Sequence, residues 1–142
     1  MDEQAYTPKE LTVDAVIENI PVVTAFIEEH LEAMGCPMKA QMQLCVAVDE
    51  LFGNIAHYAY QPGTGPATVR IEATQNPSAA VITFIDSGVP YNPLDREDPD
   101  VTLAAHERPI GGLGIYMVKK TMDAVEYEYR DGFNILCIKK RL

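Results

Sequence analysis

Positive charge is scarce in this sequence of 142 residues, in which 11 Lys and Arg stand against 21 Asp and Glu. The resulting formal charge of −10 would repel the phosphate backbone of a nucleic acid and an anionic membrane surface. We therefore expect neither a nucleic acid nor a membrane as a partner.

Cysteine is also sparse, because Cys36, Cys45 and Cys137 lie far apart and form no CxxC pair. This spacing favours neither a zinc site nor a disulfide framework, and the apolar neighbours predict core thiols. No apolar run approaches the roughly 20 residues needed to cross a bilayer. The acidic, polar start MDEQAYTPKE is unlike a secretory signal. A soluble, cytoplasmic protein is expected.

No internal repeat, low-complexity tract or linker divides the sequence, so we predict one domain over residues 1–142 with a disordered tail at 1–8. Apolar residues recur at helical spacing over about 17–34 and 39–60, and a third helix is predicted over 111–122. Residues 86–110 are rich in Pro, Gly and Asp. They predict a long loop, with at most a short helix near 101–106, that is typical of a lid or binding loop.

Alternating patterns predict five strands, at residues 9–15, 67–73, 79–85, 124–130 and 133–139. Hairpin connections are expected at 75–78 and at 131–132. The order of strands and helices predicts an α+β domain, in which helices cover one face of a mixed, mostly antiparallel sheet.

The first candidate motif is DELFGN, residues 49–54, on the second predicted helix. Glu50 and Asn54 are four residues apart, so their side chains share one helical face. A carboxylate and an amide oxygen at this spacing could hold a hydrated Mg²⁺, and Glu50 could equally act as a general base. A solvated polar stripe is the alternative interpretation.

The second candidate motif is Asp86-Ser87-Gly88, which follows an apolar strand. A carboxylate just past a strand can accept a hydrogen bond from the amino group of a heterocycle. Gly88 would let a ligand approach the backbone closely. An ordinary polar turn would use the same residues.

The third candidate motif is a glycine-rich segment, residues 108–116, that opens the third predicted helix. Free N–H groups and the helix dipole at such a start can bind a phosphate, whereas a flexible hinge is the alternative. The segment is not a Walker loop, since GxxxxGK[ST] is absent. A Rossmann motif is also excluded, because no strand directly precedes the glycines.

In this order the three motifs resemble those of the GHKL (Bergerat-fold) ATP-binding superfamily. Within it, the chain is similar to the small anti-sigma factor and serine-protein kinases of bacterial partner-switching systems. Residues 49–54 look like the N-box, 86–88 like the G1 box and 111–115 like the G2 box, and GGLGIYMVKKTMDAVEY is similar throughout. The resemblance spans about residue 11 to the end and implies a two-layer α/β sandwich.

The resemblance also implies roles for the matching residues. Asn54 would bind Mg²⁺, and Glu50 would be the base that deprotonates a serine of a partner protein. Asp86 would accept the adenine amino group, while Gly88 would leave room for the ring. ATP would lie between the helices and the lid.

For the glycine-rich segment, the resemblance implies contacts with the phosphates. Gly112 and Gly114 would face them, and Arg108 is a candidate contact to the terminal phosphate. The nucleotide-binding residues expected in this box are Gly111, Gly112, Leu113, Gly114 and Ile115.

The leading hypothesis is an ATP- and Mg²⁺-dependent serine kinase that phosphorylates a STAS-type anti-sigma-factor antagonist and binds a sigma factor in an alternative complex. Glu50 favours an active kinase, because the binding-only relatives need Asn54 but not the base. The alternatives are a non-catalytic ATP/ADP switch and an interaction domain without nucleotide. The resemblance further implies a homodimer. His57 is expected to be structural or exposed, and the acidic residues of the lid are expected to be solvated.

Overall fold

The computed structural model describes residues 7–75, 78–95 and 113–142. In chain order the main elements are β1 (Lys9–Asp14), α1 (Ile20–Ala33), α2 (Met38–Tyr58), β2 (Pro66–Thr74), β3 (Ala79–Asp86), α3 (Leu113–Thr121), β4 (Ala124–Arg130) and β5 (Phe133–Arg141). Short 3₁₀ helices lie at Ile17–Asn19 and Pro93–Asp95. Within these ranges, no helix combines the length and hydropathy that crossing a membrane requires.

The strands form one sheet in the order β1-β2-β3-β5-β4. All four pairs of neighbouring strands in the described part of the chain are antiparallel. The prediction of an α+β fold is confirmed, and the mixed sheet that was expected has no parallel pair among these strands. β5 lies between β3 and its hairpin partner β4, so the last strand is internal to the sheet and β4 is at its edge.

One face of the sheet is apolar and carries the helices. The alternating residues of β2, β3 and β5 stack across the strands, so that Val69 lies opposite Phe84 and Phe84 opposite Leu136. Helix α2 contacts both α1 and α3 and lies against β3 and β5. Its Phe52 is fully buried in the core between the two layers. This burial fixes which face of α2 points away from the sheet.

The end of α1 shows how local sequence stops a helix. Gly35 has a φ of 73°, a left-handed conformation that glycine adopts without a steric penalty. The Cys36 N–H donates to the Leu31 carbonyl at 3.0 Å, and the Gly35 N–H donates to the Glu32 carbonyl at 3.0 Å. These two hydrogen bonds form a Schellman motif, which turns the chain toward α2.

Two glycine-to-alanine variants are expected to change stability in opposite directions. Gly35→Ala should lower the free energy of unfolding by about 1 kcal/mol, because an L side chain is strained at positive φ. Gly53→Ala should raise it by about 0.5–1 kcal/mol, because alanine favours the interior of α2. A Cβ at either position would have no atom within 4 Å, so the two effects on stability differ only because the backbone conformations differ. Urea unfolding measures both values, and shifts of the same sign would contradict this explanation.

The predicted element order is confirmed, with differences at the ends. The helix predicted over 17–34 begins as a 3₁₀ turn, so its α-helical part is shorter. Asp131 and Gly132 form the expected hairpin turn, with φ angles of 55° and 85°. Residues 1–6 of the predicted tail, the short helix predicted near 101–106 and most of the long loop lie outside the described residues. The single domain over 1–142 stays a prediction.

Candidate functional site

Helix α2 presents Glu50 and Asn54 on the side that is not in the core. Leu51 and Phe52 are buried against the sheet, whereas Glu50 and Asn54 are only partly buried. The carboxylate and the amide therefore lie one turn apart on the accessible face of α2, as the four-residue spacing predicted.

A cavity of about 40 Å³ lies between the second half of α2 and the ends of β3 and β5. Leu51, Ile55, Phe84 and Leu136 contribute apolar walls. Asn54, Asp86 and Asn134 contribute amide and carboxylate groups to this cavity, so two predicted nucleotide-binding residues meet there.

Asp86 is the last residue of β3 and is 6% exposed. Its Oδ1 accepts hydrogen bonds from the Gly88 N–H and from Asn134 Nδ2, both at 2.9 Å. No described residue donates to its other oxygen, Oδ2, although Asp86 lines the cavity. The carboxylate is thus held by the protein through one oxygen and has a second oxygen available to a ligand.

Asn134 is a site residue that sequence reasoning missed. It is 6% exposed and lies directly opposite Asp86 in the register of β3 and β5. A signal was available, since Asn134 interrupts an inward-facing series that continues with Leu136 and Ile138. A polar residue in such a series is expected to have a buried partner.

The loop after Asp86 is attached to the end of α2. The Val89 N–H donates to the Ala59 carbonyl at 2.9 Å. The Tyr60 hydroxyl donates to the Pro66 carbonyl at 2.5 Å and accepts from the Ser87 N–H at 2.9 Å. These contacts give the segment after the N-box motif a structural role, which is to fix the position of the second motif.

Gly88 has a reason to be glycine that does not depend on a ligand. A Cβ at this position would overlap the carbonyl group and the side chain of Ala59. Close approach of the loop to α2 therefore requires glycine there. Space for an adenine ring next to Gly88 stays a prediction.

Glu50 borders a second, wider cavity of about 400 Å³ between α2 and α3, together with Val46, Asp49, Gly114 and Met117. Gly114 lies in the first turn of α3, and a Cβ there would overlap the Glu50 carboxyl group. The positive end of the helix dipole favours a carboxylate in this place. The structure thus joins the first and third motifs at Glu50 and Gly114, and the first and second motifs at Asn54 and Asp86.

The other predicted site residues belong to the core, begin the described part of α3 or lie outside the part of the chain that the structure describes. Ile115 is 4% exposed and belongs to the hydrophobic core. Leu113 is the first residue of α3 that the structure describes. Arg108, Gly111 and Gly112 lie outside the described residues, so their contacts with phosphates stay predictions.

His57 and Asp95 border neither of the two cavities. His57 is exposed at the end of α2, which agrees with the solvent-facing alternative. Asp95 accepts a hydrogen bond from Asn92 Nδ2 at 3.3 Å. The other lid acids, Glu97, Asp98 and Asp100, lie outside the described residues.

Thiol chemistry is not favoured at this site. Burial, reinforced by the carboxylates of Glu28 and Asp49, raises the pKa of the Cys45 thiol to about 11. Burial also raises the pKa values of Cys36 and Cys137. All three are free and partly buried rather than core thiols, and protonated at neutral pH they are weak nucleophiles.

Comparison with known sequences identifies the family. Residues 13–140 match the model described as the histidine kinase-like ATPase domain. The serine/threonine-protein kinase BtrW of Bordetella bronchiseptica is 27% identical over 100 residues, which cover 70% of this chain and 70% of that protein. The serine-protein kinase RsbW of Bacillus mycoides is 22% identical over 134 residues, which cover 92% of this chain and 82% of that protein.

A solved structure supports the fold. The crystal structure of the RsbU and RsbW domains of Rv1364c from Mycobacterium tuberculosis aligns with a TM-score of 0.67 at 17% identity. The alignment covers 96% of this chain and 32% of that one, so this chain spans about a third of its length. Since the family model matches nearly the whole sequence, the chain belongs to the histidine kinase-like ATPase domain family, as the three motifs predicted.

Proposed function

We propose that this protein is an ATP-dependent serine kinase that phosphorylates a partner protein. The observation that carries the proposal is the placement of Glu50. It lies one helical turn from Asn54, which lines the same cavity as Asp86, and it packs against the start of α3. A single helix therefore connects a candidate nucleotide site with a candidate base. The kinase names of the relatives support the same reaction type.

The adenine ring would occupy the cavity between α2 and the sheet. Its 6-amino group would donate to Asp86 Oδ2, the oxygen to which no described residue donates. The ring would pack on apolar walls such as Ile55 and Leu136. Burial of apolar surface would supply affinity, and the hydrogen bond would supply specificity.

Asn54 is the residue that would hold Mg²⁺. No group of three or more His, Cys, Asp or Glu side chains in the described ranges forms a metal site, so an all-protein metal cage is not available there. Mg²⁺ is commonly held by one or two protein oxygens together with phosphates and water, and a single amide oxygen fits that pattern. When bound, the ion would neutralise charge on the phosphates.

Glu50 would act as the general base. The serine Oγ would attack the terminal phosphorus of ATP, the bond from that phosphorus to the β-phosphate oxygen would break, and the serine proton would pass to the Glu50 carboxylate. ADP would leave. Positioning of the reactants would supply most of the rate, as in other phosphoryl transfers.

The surface beside Glu50 suits a protein substrate. Met42 and Val46 lie eight and four residues before Glu50 along α2, and they are 61% and 63% exposed. Met117 of α3 borders the same cavity and is 46% exposed. Exposed apolar side chains in one patch are typical of a contact with another protein.

The partner proposed from the resemblance is a STAS-type anti-sigma-factor antagonist, with a sigma factor bound in an alternative complex. The formal charge of −10 suits a partner with a basic surface. A homodimer and a cytoplasmic location are part of the same proposal.

Incubation with labelled ATP, Mg²⁺ and candidate antagonists tests the proposal. We expect label on a serine of one antagonist, and Asn54→Ala should abolish it while the protein stays folded by circular dichroism. ATP binding without transfer to any antagonist would instead support the non-catalytic switch. Calorimetry that detects no ATP binding at millimolar Mg²⁺ would contradict both functions and leave an interaction domain.

A further inference from the structure

The side-chain amide of Asn134 uses its whole hydrogen-bonding capacity inside the protein. Its Nδ2 donates to Asp86 Oδ1 and to the Val89 carbonyl, both at 2.9 Å. Its Oδ1 accepts from the Tyr91 N–H at 3.1 Å and from the Tyr127 hydroxyl. Burial raises the pKa of Tyr127, so this hydroxyl remains a donor at neutral pH.

Two backbone groups fix the orientation of this amide. The Tyr91 N–H can only donate, so it requires the amide oxygen, and the Val89 carbonyl can only accept, so it requires the amide nitrogen. Asn134 must therefore present an N–H to Asp86. The flip that is usually open to an asparagine would break both backbone contacts.

This orientation determines how Asp86 can read a ligand. An oxygen of an ionised carboxylate has about two acceptor positions. Those of Oδ1 are taken by Asn134 Nδ2 and by the Gly88 N–H. Only Oδ2 is left for a group in the cavity, so Asp86 can make a single type of contact there.

The two common purines differ in the donors that they offer to a carboxylate. Adenine presents one exocyclic amino group, and its neighbouring ring nitrogen is an acceptor. Guanine presents an adjacent ring N–H and amino group, which would pair with both oxygens of a free carboxylate, as bidentate donors do. A carboxylate with one available oxygen can accept the single donor of adenine. It can accept only one of the two adjacent donors of guanine.

We propose that Asn134 determines purine specificity by occupying Asp86 Oδ1, so that the site accepts a 6-aminopurine and gains nothing from the second donor of guanine. Asn134 is a positioning residue in this account, because it acts through Asp86. The inference rests on the proposed nucleotide-binding function. It concerns a residue that none of the three sequence motifs contains.

The inference is tested by measuring how tightly GTP and inosine triphosphate compete with labelled ATP. Inosine triphosphate is GTP without the 2-amino group. In the native protein GTP should bind no more tightly than inosine triphosphate, because the 2-amino group finds no acceptor. In Asn134→Ser, whose shorter side chain frees one of the two acceptor positions of Oδ1, GTP should bind at least about tenfold more tightly than inosine triphosphate. The ratio of ATP to GTP affinity should fall accordingly.

Tyr127→Phe is the matched control. It removes the hydroxyl donor from Asn134 but leaves the Asn134–Asp86 hydrogen bond, so both affinities should change together and their ratio should not. A general loosening of the site would instead move the ratio in both variants, which would overturn the assignment to Asn134.

The outcomes separate this inference from the proposed function. ATP binding with the same GTP preference in Asn134→Ser and the native protein would overturn only the inference. So would a native protein that binds GTP tenfold more tightly than inosine triphosphate, a measurement that needs no variant to fold. Absence of ATP binding to the native protein would overturn both.

Discussion

Glu50→Gln is expected to reduce phosphoryl transfer to the partner serine by about 10²–10⁴-fold, the usual contribution of a general base. Glutamine has the same shape, so the contact with Gly114 should be kept. It cannot take up the serine proton. Affinity for ATP should stay within about twofold, because Glu50 borders the wider cavity and not the one at Asp86. Transfer from labelled ATP and calorimetric ATP binding, measured on one preparation, give the two values.

Glu128→Gln is the control for charge. It makes the same chemical change on β4, where the exposed Glu128 carboxylate pairs with Arg130 at 3.1 Å. Exposed ion pairs contribute at most about 1 kcal/mol to stability, so transfer should be unaffected. If Glu50→Gln still phosphorylates the antagonist at a rate near that of the native protein, Glu50 is not the base.

The sheet could be predicted from sequence because its two faces have different surroundings. Alternation along β2 and β3 follows directly from one face packing on helices while the other does not. The turn at Asp131-Gly132 could be predicted as well, because its chemistry is local. The start of α1 was harder to predict. The preceding residues, Ile17–Asn19, form a 3₁₀ helix, and the apolar pattern does not distinguish it from the first turn of an α-helix.

The site was predictable where its chemistry lies within one motif. Glu50 and Asn54 share a face because of helical geometry alone. The link between Asp86 and Asn134 spans 48 positions and depends on the insertion of β5 between β3 and β4, which no spacing in the sequence encodes. The contact of Gly88 with Ala59 depends in the same way on where α2 ends against the sheet. The sequence therefore did not predict which distant residues come into contact, although it did indicate the chemistry of the individual residues.

Asp86→Asn is expected to lower ATP affinity by about ten- to a hundredfold, the value of a hydrogen bond to a charged group. The new side chain has one acceptor, and the Gly88 N–H and Asn134 Nδ2 both require it on the Oδ1 side. The amide nitrogen must then face the cavity, where it meets the adenine amino group donor to donor. Competition binding measures the loss of ATP affinity. The thermal unfolding temperature should change little, which shows that the variant is folded.

The same variant should gain affinity for a 6-oxopurine. An amide N–H that faces the cavity can donate to the 6-oxygen of inosine triphosphate, which the native carboxylate repels. Asp86→Asn should therefore bind inosine triphosphate more tightly than ATP, reversing the native preference. General damage to the site would weaken both nucleotides and could not produce a reversal. A folded variant with native ATP affinity would show that Asp86 does not contact the base.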